Sequence, residues 1–141
     1  MPVRTPTEIT LAFVEAINAG NIEAIVDLMS EDHLFTDSLG AQIRGRTAMR
    51  SAWIAYALMI PDYRITVDHV LASGDVVALF GKAAGTFAPD GKVFPKNRWE
   101  IPAAWRAVVA NQQVSEWQVY ADNEPVRMIV ASGNRGRGGI R

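Results

Sequence analysis

Apolar residues along this chain keep a period near that of a helix up to about residue 60, then change to a period of two. Thr5-Pro6-Thr7-Glu8 reads as a capping box with proline at the first helical position. Behind it Ile9, Phe13 and Ile17 recur at four-residue spacing, with Leu11 and Val14 widening the face. This helix closes at Asn18-Ala19-Gly20, where glycine suits the left-handed position past a helix end. Asn21 can cap a second helix whose Ile22, Ile25, Val26, Leu28 and Met29 form a broad apolar stripe. Ser30-Glu31-Asp32 breaks that period. His33-Leu34-Phe35-Thr36-Asp37 then predicts a strand with residues 33, 35 and 37 on one face. After a turn at Ser38-Leu39-Gly40, Arg44-Gly45-Arg46-Thr47 leads into a third helix with Thr47 as its candidate cap. Met49, Trp53, Tyr56 and Ile60 give that helix one aromatic face until Pro61 ends it.

From Asp62 onward the pattern is that of strands. Tyr63, Ile65, Val67, His69 and Leu71 form one row, with Arg64, Thr66 and Asp68 on the other face. Ser73-Gly74-Asp75 turns into a return strand from Val76 to Phe87. Pro89-Asp90-Gly91-Lys92 makes the next turn. A long strand follows from Val93 to Ala110, where Pro95 and Pro102 confine their positions to an edge or a bulge. Asn111-Gln112-Gln113 turns into a final strand, Val114 to Ala121, and Val126 to Val130 reads as a terminal helical turn. Three helices followed by antiparallel hairpins predict an α+β fold, a curved antiparallel sheet wrapped around N-terminal helices to leave a conical cavity (a cystatin-like α+β barrel). In the final strand Ser115, Trp117, Val119 and Ala121 share one face, and Val114, Glu116, Gln118 and Tyr120 the other. Trp117 and Val119 are costly to expose, so they are assigned to a homodimer interface on the outer face of the sheet. Glu116, Gln118 and Tyr120 then fall to the cavity; the reversed parity is the alternative.

Composition narrows the picture. The 141 residues make one domain, taken as residues 1–131, followed by a Gly/Arg-rich segment, 132–141, read as a flexible tail. A net charge of -1 argues against nucleic acid as partner. Without cysteine there is no disulfide, thiolate nucleophile or zinc ribbon. His33 and His69 lie too far apart for a metal motif. No stretch approaches the ~18 apolar residues of a membrane span, and the N-terminus has no apolar signal core, so a cytoplasmic location is expected.

The charge that changes the picture most is Asp37. If Phe35 faces the core, so does Asp37, and a carboxylate there must be solvated by a pocket, paired or left with a raised pKa. It is the candidate general base. The plainer alternative is a turn aspartate whose side chain caps the N–H groups of Leu39 or Gly40. His33 shares its row and is a candidate to tune it or relay a proton. Phe13, Ile17, Phe35, Trp53, Tyr56, Ala103 and Trp105 are candidate pocket residues, core packing being the alternative for the large ones.

The helices joined at Asn18-Ala19-Gly20-Asn21, the strand closing on Thr36-Asp37-Ser38-Leu39-Gly40, the Arg44-Gly45-Arg46-Thr47 lead-in and the late segment Trp117 to Val126 together resemble a known family. It is the ketosteroid isomerase branch of the nuclear transport factor 2-like superfamily, which includes the SnoaL-like polyketide cyclases. The resemblance spans nearly the whole chain apart from the tail. It implies cofactor-free proton transfer (isomerisation, cyclisation or dehydration) on a small hydrophobic carbonyl compound, with Asp37 in the place of the base. It also implies two replacements: the isomerase pattern has a tyrosine where this chain has Phe13, and a carboxylic acid where it has Ala103. Losing an oxyanion donor costs on the order of a hundredfold or more, so steroid isomerisation is not expected. Tyr120, Trp53 or Tyr56 would have to supply the donor. Arg98-Trp99-Glu100 is similar to the Arg-x-Asp placement of limonene epoxide hydrolase, but Val119 stands where that family has a second aspartate. Such an Arg/Glu pair otherwise reads as a surface pair. Because this fold hosts many functions, a non-catalytic ligand-binding or dimeric interaction module is the alternative.

Overall fold

The computed structural model describes residues 3–136, and the two periodicities of the chain become its two layers. Helices α1 (Pro6–Asn18), α2 (Ile22–Leu28) and α3 (Arg46–Met59) lie against the concave face of one sheet. The sheet comprises β1 (Met29–Thr36), β2 (Gln42–Arg44), β3 (Arg64–Ser73), β4 (Val76–Thr86), β5 (Arg98–Ala110) and β6 (Gln113–Tyr120). A final helix, α4 (Glu124–Gly136), follows β6. The strand order is β2-β1-β6-β5-β4-β3, a curved sheet that does not close on itself. The α+β class is as expected, but the sheet is mixed, because β1 runs parallel to β6 while every other pair is antiparallel.

Local chemistry explains most of the boundaries. Thr5 Oγ1 accepts from Glu8 N at 3.1 Å and the Glu8 carboxylate accepts from Thr5 N at 2.8 Å, completing the capping box. Asn18 closes α1 by clamping it to the sheet: its Nδ2 donates to Ile65 O at 2.9 Å, and its Oδ1 accepts from Ile65 N at 2.7 Å. Asn21 caps α2 through Ala24 N. The third helix starts one residue earlier than its expected cap, with Gly45 at the N-cap and no side-chain cap bond, so Thr47 lies inside it. Ser30-Glu31-Asp32 is passed over by the β1–β6 ladder, which jumps from Met29 to Leu34. The long strand also begins later than expected. Pro95 opens a short 3-10 turn, Pro95–Asn97, and β5 starts at Arg98. Pro102 sits where β5 pairs with β4 on one side but has not yet met β6 on the other, the edge-like setting that tolerates proline.

The last helix is longer than its sequence pattern suggests and continues over residues 132–136, the first half of the expected tail. The rest of that tail lies outside the described residues. Arg98 and Glu100 stand exposed on the outer face, 3.7 Å apart, with Lys82 at 3.6 Å from Glu100. They belong to a surface ion cluster. Among the described residues, no helix is long and apolar enough to cross a membrane, and no three His, Asp or Glu side chains group to hold a metal.

Candidate functional site

Between α3 and the sheet lies a cavity of about 290 Å³ lined by Phe35, Asp37, Met49, Ala52, Trp53, Tyr56, Tyr63, Trp105, Trp117, Val119 and Asn123. Six of those eleven residues are aromatic and one is a carboxylate. From α3, Met49, Ala52, Trp53 and Tyr56 follow the i, i+3, i+4, i+7 spacing of one helix face. The rings brace one another edge to face: Trp53 meets Tyr56 at 6.2 Å between centroids, and Tyr56 meets Tyr63 at 5.1 Å. Across from them Trp105 of β5 stacks with Trp117 of β6 at 6.4 Å.

Asp37 follows β1 directly, on the row that begins at His33 and passes through Phe35. Its Oδ1 accepts from Leu39 N and from Ala41 N, both at 2.9 Å. Its own N–H donates to Ala41 O, and its carbonyl accepts from Gly40 N. Asp37 is thus both the capping residue of a tight turn and the one carboxylate in the cavity wall. Both hydrogen bonds land on Oδ1, which leaves Oδ2 without a protein donor among the described residues. Beside it, Asn123 Nδ2 donates to Ser38 Oγ at 2.6 Å, tying the start of α4 to the same turn.

The donors in the wall are aromatic. Burial pushes the phenol of Tyr56 far above its ordinary value. It does the same for Tyr63, with the neighbouring Tyr56 adding to the effect and the Trp105 side chain working the other way. Both hydroxyls therefore keep their protons at any physiological pH. The indole N–H of Trp53 is buried with no protein acceptor. The Trp99 indole shares that condition, but Trp99 stands outside the cavity lining.

Several expected pocket residues sit elsewhere. Phe13 is fully buried one layer behind the wall, 4.9 Å edge-on to Trp117. His33 is fully buried beside Phe13, 6.0 Å between ring centroids. Its Nδ1 donates to Val114 O at 2.6 Å and its Nε2 has no partner. Desolvation pulls the pKa of this imidazole down; the Val114 carbonyl and the charges of Asp32 and Glu116 act in the opposite sense. Neither of its ring nitrogens bonds Asp37. Ala103 is buried in the sheet outside the lining, and Ile17 borders a separate cavity of about 90 Å³ behind Trp53, Tyr56 and Tyr63.

The assignment of the last strand is overturned. Trp117 is 2% exposed and lines the cavity together with Val119, whereas Tyr120 is 48% exposed on the outer face. Glu116 pairs with Arg106 at 3.0 Å on that outer face, and Gln118 stands opposite Arg106 in the ladder. From residue 116 to 120 the two rows alternate as the sequence implies, and Trp117 and Val119 turn to the cavity of their own chain instead of to a second subunit. A β-bulge alters only the start of the strand. Glu116 pairs with Val108 and Val114 with Val109, so Ser115 is an extra residue, and the buried Val114 and Trp117 share a face despite their odd spacing. Strict alternation through Ser115 hides this. Tyr63 and Asn123 carry only turn and strand signals in the sequence, and nothing local marks them as cavity residues.

Similarity to known proteins follows the same architecture. The sequence profile of the SnoaL-like domain matches residues 10–128. Among proteins of curated function none matches. Among solved structures, a candidate SnoaL-like polyketide cyclase from Shewanella denitrificans superposes with a TM-score of 0.77 at 13% identity, covering 90% of this chain and 97% of that one. IdmH, a candidate polyketide cyclase from Streptomyces antibioticus, gives 0.74 at 21% identity, with 91% and 99% covered. A protein of ketosteroid isomerase-like fold from Catenulispora acidiphila, solved in complex with trimethylamine, gives 0.70 at 23% identity, with 82% and 86% covered. The match over most of its length, on a helix-lined open sheet, makes this chain a member of the SnoaL-like domain family.

Proposed function

We propose that this domain binds a small hydrophobic carbonyl compound in the aromatic cavity and transfers a proton on it, with Asp37 as the base. The observation that carries this reading is the placement of Asp37: one carboxylate in a wall of rings, its Oδ1 held by two backbone N–H groups and its Oδ2 without a protein donor. Fixing one oxygen orients the other, which is what a general base requires. Phe13 and Ala103 cannot donate to a developing enolate, and neither lines the cavity. Tyr56 and Tyr63 are the donors that support an enolate here, in a setting where one such hydrogen bond is worth about 3 kcal/mol. No cofactor or metal enters the scheme.

The test is α-proton exchange. Hydrophobic ketones that raise the melting temperature are incubated in D2O, and deuterium incorporation is followed by NMR. The wild type should exchange the α-proton well above buffer. Asp37→Asn, whose amide oxygen can still cap the turn, should fold and lose exchange by about 10²–10⁴-fold. Tight binding without exchange in the wild type favours the alternative, a ligand-binding module in which Asp37 serves the turn alone; that double use of Asp37 is what keeps the alternative open to test.

We also propose a homodimer through the outer face of the sheet. Its support is a row of side chains across three strands, Phe80, Ala104 and Tyr120, with Phe80 42% exposed.

A further inference from the structure

The cavity's volume and wall chemistry restrict what it can hold. Resting on the reading above, we infer that its ligand is an uncharged compound of one or two fused rings with a hydrogen-bond-accepting oxygen, bound in preference to carboxylates, ammonium ions and four-ring frameworks. Size is the first argument. A dry apolar cavity of about 150 Å³ takes one benzene ring. At about 290 Å³ this cavity, open to solvent on one side, encloses roughly twice that, and a four-ring framework would project out of it. The second cavity does not extend it, because Trp53, Tyr56 and Tyr63, braced edge to face, stand between the two.

Charge is the second argument. No Lys, Arg or His lines the wall, so a carboxylate or phosphate would enter without a counter-ion and meet Asp37 and the negative ring faces. An ammonium ion would pair with Asp37 and lie over the ring faces, so what counts against it is the water it must give up on entry. Tyr56 and Tyr63 are kept protonated, and each hydroxyl can donate to an oxygen. A neutral carbonyl oxygen accepts from such hydroxyls without the cost of a desolvated charge.

Calorimetric titration with four probes decides the matter: 2-tetralone, 2-naphthoate, 2-aminotetralin as its ammonium ion, and progesterone. The wild type should bind 2-tetralone at least about tenfold more tightly than each of the others, a difference of about 1.4 kcal/mol. In Asp37→Asn the gap between 2-tetralone and 2-naphthoate should narrow, because the repelling charge is gone. Val119→Trp should fill the cavity and abolish 2-tetralone binding; its melting curve, and circular dichroism matching the wild type, show whether it folds. Tighter binding of progesterone or naphthoate than of 2-tetralone overturns the inference while leaving proton transfer by Asp37 intact. Tighter binding of 2-aminotetralin also overturns it, and recasts Asp37 as a counter-ion. Selective 2-tetralone binding without α-exchange leaves this inference standing and removes the base.

Discussion

His33 shows how much one side chain can report about its surroundings. The imidazole is fully buried, uses Nδ1 to donate to Val114 O, and leaves Nε2 bare. Its pKa in the folded chain is lowered by desolvation, so the unfolded chain binds the proton more readily. The sign follows from linkage: this contribution is fully present above the unfolded pKa of about 6.5 and is lost as pH falls below it toward the lowered folded value. One such group gives a slope of up to about 1.4 kcal/mol per pH unit within that window. Melting temperatures recorded from pH 8 to pH 5 should therefore fall more steeply for the wild type than for His33→Asn, whose amide can still reach Val114 O. Parallel curves would refute the buried, neutral imidazole. The row containing His33, Phe35 and Asp37 is also where the sequence is most informative, because a strand fixes its faces by alternation alone. What it cannot convey is depth: His33 and Phe13 face inward, yet stop behind Trp117.

At the scale of elements, the aromatic face of α3 is readable from spacing, as Met49, Trp53 and Tyr56 mark it without any tertiary information. The faces of β6 are not. One extra residue, Ser115, reverses the parity of everything before it, and the bulge exists only because β5 is paired alongside. Deleting Ser115 should therefore do far more damage than trimming it. The deletion forces either Val114 or the pair Trp117 and Val119 onto the wrong face, and should cost more than about 4 kcal/mol or abolish folding. Ser115→Ala removes only the bond from Ser115 Oγ to Val108 O at 3.1 Å, worth about 0.5–1.5 kcal/mol. Urea unfolding followed by tryptophan fluorescence separates the two. A similar invisibility hides β2, whose three residues are recruited as an edge by β1 and carry too short a pattern to announce a strand.

For the whole molecule, the α+β class was legible because a helical period dominates before Pro61 and a strand period after it, although β1 and β2 of the sheet lie among the helices. The mixed sheet was not, since no local signal states that residues 34–36 will lie beside residues 116–118. The corrected faces also change the expected assembly surface. It is built from Phe80, Tyr120 and their polar neighbours rather than from Trp117 and Val119. Sedimentation of the wild type should give twice the chain mass, and Phe80→Glu with Tyr120→Glu should give the monomer with its melting curve largely retained. A monomeric wild type at micromolar concentration would end the dimer proposal.

The parallel pairing of β1 with β6 carries a kinetic consequence. Some eighty residues of chain separate the partners, so the ribosome emits Asp37 and its turn long before the strand that completes their wall. Until then Phe35 and Ile43 can form only a short two-stranded ribbon, a unit marginal in water on its own. Ring closure over so long a loop is entropically slow, which places assembly of the binding chamber among the late events of folding. Any nascent chain stalled before Val114 would carry an acidic turn with no chamber around it.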